Sequence, residues 1–135
     1  MGLIDLHCHL LPGIDDGSPD MATSLKLADD AVNDGVSHAV VTPHHLNGRY
    51  VNHKADVIKA TDEFQKALKE ANIPLTVFAG QEVRVSGRVI PAYDEDDLLF
   101  CDVSGKYLLL EMPSDEVPAF AKRLVFELQQ RGVTP

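Results

Sequence analysis

Two kinds of apolar pattern alternate along the chain. Leu3 to His7, Ser37 to Thr42, Leu75 to Gly80 and Tyr107 to Met112 are short and mostly apolar, and each predicts a strand. Between them the apolar residues return at helical spacing. Met21, Leu25, Ala28 and Val32 predict a helix with Ser18 as N-cap, Pro19 at its first position and Gly35 as its stop. Val57, Ile58, Thr61, Phe64 and Leu68 predict a second helix over 54–72, ended before Pro74. Val117, Phe120, Leu124 and Leu128 predict a last one, capped by Ser114 and closed by Gly132. Residues 43–53 carry Pro, Asn and Gly and read as a loop. Residues 80–91 read as extended with a turn at Ser86-Gly87, and the acidic run 94–97 as a solvated turn or short helix.

Strands that alternate with helices imply parallel pairing with helices outside, so the expected class is α/β, an open sheet or part of a barrel. Short apolar strands fit burial on both faces. Val133 to Pro135 read as the start of a further strand.

Composition narrows the function. A chain of 135 residues is enough for one domain with a core, and a net charge of −9 argues against a nucleic-acid surface, which needs a basic patch. No apolar run approaches the ~20 residues of a membrane span, and no basic-flanked leader precedes the first strand, so no membrane insertion is expected. Two cysteines, Cys8 and Cys101, make no disulfide framework and read as reduced thiols in a cytoplasmic protein. Neither is followed by Arg six residues later, so the thiol phosphate loop C-x5-R is absent.

The polar residues then fall in one place. His7 and His9 end the first strand, Asp15 and Asp16 follow in its loop, and His44 and His45 come directly after the second. Glu82 lies just past the third strand and Glu111 near the end of the fourth. All occupy carboxyl ends of parallel strands, the rim where βα enzymes build their sites. A buried imidazole or carboxylate is costly unless paired or bound to a metal, and this ligand set suits Mn, Fe or Zn. If the first strand continues through His9, period 2 puts Asp5, His7 and His9 on one face and sends Leu6 and Cys8 toward the helices. Asp5 is then placed to fix the tautomer of a ligating imidazole from beneath. His45 reads as a polar loop residue, and His38 and His53 as surface or capping positions. Arg49, Arg84 and Arg88 read as solvated or ion-paired, with the option that an arginine near the rim grips a phosphate.

The strings "DLHCHLLPGIDDGSPD", "VVTPHH", "GQEVR" and "LLLEMP" resemble the polymerase and histidinol phosphatase (PHP) superfamily. More narrowly they resemble its bacterial metal-dependent protein-tyrosine phosphatases of capsule and exopolysaccharide operons, the CpsB/CapC type. The resemblance implies a distorted (βα)7 barrel with up to three divalent metals at its rim, Mn first, Fe or Zn otherwise. It matches His7 and His9 to one metal's pair, Asp16 and His44 to a second metal, Glu82 to a bridging carboxylate and Glu111 to a further ligand. The implied activity is hydrolysis of phosphotyrosine by a metal-bound hydroxide. The implied partner is a tyrosine-phosphorylated protein, a bacterial tyrosine kinase of polysaccharide synthesis, with homo-oligomers allowed. The rival readings are another PHP phosphoesterase acting on histidinol phosphate, and an inactive interaction domain. The family pattern continues with a further histidine and a late Asp-x-His pair, and a barrel of this kind takes roughly 250 residues. Residues 1–135 are therefore expected to form the N-terminal part of one barrel domain, about its first half, and not a self-sufficient catalytic unit.

Overall fold

The computed structural model describes residues 2–135. Its elements run β1 (Leu3–Cys8), α1 (Met21–Asn33), β2 (Val36–Val41), β3 (His44–His45), α2 (Lys54–Glu70), β4 (Thr76–Ala79), β5 (Glu82–Arg84), α3 (Val89–Asp94), β6 (Leu109–Glu111) and α4 (Ala121–Gln130). The α/β class holds, and the described strand pairs are parallel, in the orders β1-β2-β4 and β3-β5-β6.

These two small sheets are linked by two chain runs that cross both. β2 bends into β3 at Thr42-Pro43, and β4 bends into β5 at Gly80-Gln81. Pro43 has no N–H to give the ladder. Its carbonyl still accepts from Glu82 N–H at 3.0 Å, and Val41 O accepts from Gly80 N–H at 2.9 Å, so pairing carries across the bend. Gly80 lets the strands approach here, since a Cβ would lie 2.6 Å from Val40 Cγ1. The second bend lies two residues before Glu82, the first residue of β5.

Each sheet has its own core. Ala39, Val41 and Val77 pack with Val57, Phe64 and Leu68 of α2 and Ala28 of α1. Val83 and Leu108 pack with Val89, Ala92, Leu124, Leu128 and Val133 beneath α3 and α4. Phe64 is fully buried, and cutting such a ring to Ala costs about 3–5 kcal/mol. Thr134 forms a parallel bridge with Tyr107, so the strand expected at 133–135 begins beside β6.

Local boundaries differ from the sequence expectation in four places, one being residues 80–91, where the extended run ends at Arg84 and α3 begins at Val89. Asp20, not Ser18, caps α1, accepting from Thr23 N–H at 2.7 Å. Ser18 is instead buried, with its hydroxyl bonded to Ser24 Oγ at 2.7 Å. The last helix begins at Ala121 rather than after Ser114, because Val117 precedes Pro118 and a residue before proline disfavours the α region. The loop expected at 43–53 contains the short strand β3.

β1 carries a larger departure. Asp5 pairs with Ala39 and Cys8 with Val41, so three steps on β1 face two on β2. This is the signature of a bulge, and it breaks the two-residue alternation. Leu6 accordingly does not turn to the helices. It is 55% exposed and lines, with Ile4, Val40 and Phe78, an open apolar cavity of about 760 Å³ on the opposite face.

Candidate metal centre

The bulge also decides where the ligand-type side chains of β1 point. Beyond it, His7 and His9 converge: both Nε2 atoms lie 3.0 Å from Glu82 Oε2 and 3.4 Å from each other. Glu82 reaches this point from the first residue of β5, its carboxylate mostly buried. Val83 beside it turns to the second core, as alternation requires. His44, opening β3, pairs in register with Glu82 and brings Nδ1 to 3.5 Å from Glu82 Oε2 and 3.4 Å from Glu111 Oε2. Its other nitrogen, Nε2, faces Asp16 Oδ1 at 3.3 Å.

The expected residues His7, His9, Asp16, His44, Glu82 and Glu111 thus meet in overlapping groups: His7–His9–Glu82, His44–Glu82–Glu111, and His9–Asp15–Asp16–His44. Each group offers ligand atoms within 4.8 Å of one another. His44 belongs to two of them, and a neutral imidazole has one lone pair to give.

Two observations bear on whether a cation fits. His44 Nδ1 and Glu111 Oε2 are buried with no hydrogen-bond partner among the described residues, and orphaned polar atoms are costly. His9 supplies the second. Its Nδ1–H donates to Asp15 Oδ2 at 2.8 Å, so in the neutral ring the Nε2 lone pair faces a carboxylate oxygen. Such a contact needs a proton or a metal between the two atoms. The hydrogen bond to Asp15 holds the His9 pKa above its ordinary value despite partial burial.

The resemblance matches Asp16 and not Asp15, yet Asp15 orients the site. Its side chain is only 1% exposed and also accepts the Gly17 and His44 main-chain N–H groups, at 2.9 and 3.1 Å. Burial pushes its carboxyl up, but these bonds and that from His9 outweigh it and hold the pKa below the ordinary value. The signal was present in "DDG": an aspartate two residues before glycine bonds the main chain locally.

Asp5 does not take the orienting role expected of it. Its carboxylate accepts from His7 main-chain N–H at 3.0 Å, and its backbone pairs with Ala39, on the far side of the bulge from the imidazoles. Cys8 does face the helix layer. Its thiol donates to Val40 O at 3.4 Å, and burial pushes its pKa up to about 12. A thiol so held is neutral and is no nucleophile.

His45 is fully buried rather than a polar loop residue. Asn52 N–H donates to its Nδ1 at 3.1 Å, which places the ring proton on Nε2, toward Asp97 Oδ2 at 3.5 Å. The same carboxylate accepts from His53 Nδ1 at 2.7 Å and, through Oδ1, from Lys54 N–H at 2.9 Å, capping α2. The acidic run 94–97 is therefore not merely solvated: Asp97 ties down the loop whose Tyr50 stacks on the His44 ring, centroids 6.3 Å apart. A His45–His53–Asp97 metal site is disfavoured by that tautomer, since Nε2 carries the proton.

The family described as "Capsular polysaccharide synthesis, CpsB/CapC" matches residues 3–135. The chain is 43% identical over 133 residues to the tyrosine-protein phosphatase YwqE of Bacillus subtilis, covering 98% of this chain and 52% of that one. It is 32% identical over 133 residues to CapC of Staphylococcus aureus, again covering 98% and 52%. Among solved structures it matches one from a study of YwqE from Bacillus subtilis and CpsB from Streptococcus pneumoniae, described as metal-dependent tyrosine phosphatases. There the TM-score is 0.90 at 43% identity, over 97% of this chain and 53% of the other. The chain spans about half the length of the curated relatives it matches.

Proposed function

Because the chain belongs to the CpsB/CapC family of capsular polysaccharide synthesis proteins, we propose that it carries most of the metal site of a metal-dependent protein-tyrosine phosphatase. The observation that carries the reading is the convergence of His7, His9 and His44 on Glu82, with Glu111 Oε2 left bare beside them. His7, His9 and Glu82 would hold one divalent ion, and Asp16, His44 and Glu111 would complete further positions around the shared Glu82. Manganese is the first choice, with iron or zinc served by the same donors.

A bound divalent cation there supplies Lewis acidity toward phosphoryl oxygens and makes water acidic near neutral pH. The chain's own residues do the rest. Asp15 fixes the His9 ring, so that Nε2 and not Nδ1 faces the centre. His7, with its side chain 48% exposed, leaves the rim open to a bulky phosphate ester. The carboxylates of Asp15, Asp16, Glu82 and Glu111 repel a phosphate dianion unless cations offset them, which ties substrate binding to metal.

Residues 1–135 are read as the N-terminal part of a single (βα)7 barrel. Support comes from the twofold longer relatives and from the apolar cavity that Ile4, Leu6 and Phe78 leave open. The substrate is read as a tyrosine-phosphorylated protein in the cytoplasm, a tyrosine kinase of polysaccharide synthesis. No described helix is long and apolar enough to cross a membrane.

The test is elemental analysis beside turnover, on residues 1–135 and on any longer product that carries them. Phosphotyrosine peptide and histidinol phosphate are compared before EDTA, after it, and after manganese is returned. The expected result is loss on chelation, recovery with Mn²⁺ and preference for the peptide. Turnover undiminished by exhaustive chelation, or preference for histidinol phosphate, would overturn the reading.

A further inference from the structure

Arg84 and Glu111 are cross-strand partners in the parallel β5–β6 pair. Their main chains are fixed by the ladder, with Val85 N–H donating to Glu111 O at 2.9 Å. Their side chains share the face opposite Val83 and Leu110, which pack on the second core. On that face Arg84 Nη1 donates to Glu111 Oε1 at 3.0 Å. The other oxygen, Oε2, is buried, accepts nothing, and faces His44 Nδ1 at 3.4 Å.

The two oxygens of one carboxylate thus have different fates. A free glutamate has three side-chain torsions to order, and it can chelate an ion with both oxygens or swing to solvent. A guanidinium that took both oxygens in a bidentate fork would withdraw the group from the site altogether. Arg84 takes one. We infer that Arg84 is a positioning residue of the centre: by clamping Glu111 Oε1 it leaves Oε2 as the single ligating oxygen toward His44 and Glu82. This rests on reading the cluster as a metal centre, and it adds what sets one ligand's geometry. Arg84 is intermediate in exposure, and Glu111 is its one hydrogen-bond partner among the described residues, so the alternative is a direct grip on the substrate phosphate.

The experiment measures Mn²⁺ binding alone by calorimetry and elemental analysis on the 135-residue chain, with thermal unfolding as the fold control. Variants are Arg84→Gln, Arg84→Lys, Glu111→Gln and the double variant Arg84→Gln/Glu111→Gln. Removal of a group that orients a ligand typically weakens metal affinity about 10- to 100-fold. Arg84→Gln is expected to lose this at one site, with Arg84→Lys recovering part of it through a single charged donor. The double variant is expected to bind no worse than Glu111→Gln, because Arg84 acts through Glu111. Unchanged Mn²⁺ binding in a folded Arg84→Gln protein overturns the inference, and if KM for a phosphotyrosine peptide rises instead in a longer product carrying Arg84→Gln, Arg84 is a phosphate contact. Additive losses in the double variant overturn it too. Absence of Mn²⁺ binding by the unsubstituted chain would instead sink the metal-centre reading on which it stands.

Discussion

Asp15 holds His9 by a 2.8 Å hydrogen bond to Nδ1, and the opposite ring nitrogen, Nε2, then faces Glu82 at 3.0 Å. The carboxylate also receives two main-chain N–H groups, one of them from His44. Asp15→Asn keeps the shape, but whichever way the amide is turned, its NH2 must face one of these donors. Leaving a buried donor without a partner costs about 1–3 kcal/mol. The variant is therefore expected to unfold at lower temperature and to bind Mn²⁺ about 10- to 100-fold more weakly. Calorimetry with and without Mn²⁺ checks both. An unaltered Mn²⁺ isotherm would mean that His9 needs no orienting partner.

Cys8 sits between two site histidines in sequence yet faces the first core, its thiol held neutral by burial. Cys8→Ser leaves a donor for Val40 O and is expected, in a longer product that carries these residues, to keep metal content and most activity, at a stability cost of about 1–3 kcal/mol for the buried hydroxyl. Glu82→Ala removes the oxygen shared by three imidazoles and is expected to abolish metal binding, and with it turnover in the same longer product. Elemental analysis and peptide hydrolysis on the two variants distinguish a metal site from a thiol enzyme. The reverse pattern would restore the thiol.

The His53–Asp97 pair gives a pH signature away from the rim. The hydrogen bond to Asp97 raises the His53 pKa. Asp97 is pushed up by burial, yet its bonds from His53 and Lys54 N–H outweigh this and hold its pKa below the usual carboxylate value. A raised histidine stabilises fully below its unfolded value of ~6.5 and loses that contribution as pH rises through the folded pKa. A depressed aspartate stabilises above its unfolded value of ~3.9 and loses that contribution as pH falls through its folded pKa. The pair therefore supports α2 most strongly between about pH 4 and 6.5. His53→Gln is expected to flatten the stability profile above pH ~6.5, and denaturant midpoints across pH 3–9 measure it. A profile identical to that of the unsubstituted protein would show the pair to be energetically silent.

The longer strands, the long helices and the gathering of ligand-type residues on one rim were legible in the sequence, because apolar period and strand ends place them without reference to fine geometry. The bulge between Asp5 and Cys8 was not. Alternation assumes equal steps on neighbouring strands, and one added residue moved Leu6 to the open face and Asp5 away from the imidazoles. Asp97 was hidden for another reason. Four acids in a row look solvated, and only the approach of His53 and Lys54 from a distant helix start shows which one is engaged. His45 was hidden because residues 43–53 read as a loop, whereas on β3 it faces away from His44 and is fully buried.

Gly80 links that backbone geometry to the chemistry. It lies at the bend between β4 and β5, two residues before Glu82. A Cβ there would lie 2.6 Å from Val40 Cγ1, with Val41 O at 3.3 Å and Thr42 Cγ2 at 3.4 Å. Valine has one soft torsion and its β2 backbone is paired on both sides, so it has little room to retreat. Gly80→Ala is expected to force β4 and β2 apart at the bend and to cost about 1–3 kcal/mol, the usual range for overpacking. The same shift should draw Glu82 off the point where His7 and His9 meet. Thermal unfolding reads the first effect and Mn²⁺ affinity the second, and the two should fall together. Val40→Ala in the same chain removes the clashing methyl and is expected to recover Mn²⁺ affinity in the double variant, beyond what Val40→Ala does alone. A Gly80→Ala protein that is destabilised but binds Mn²⁺ as before would show that the bend supports the fold without aiming the ligand.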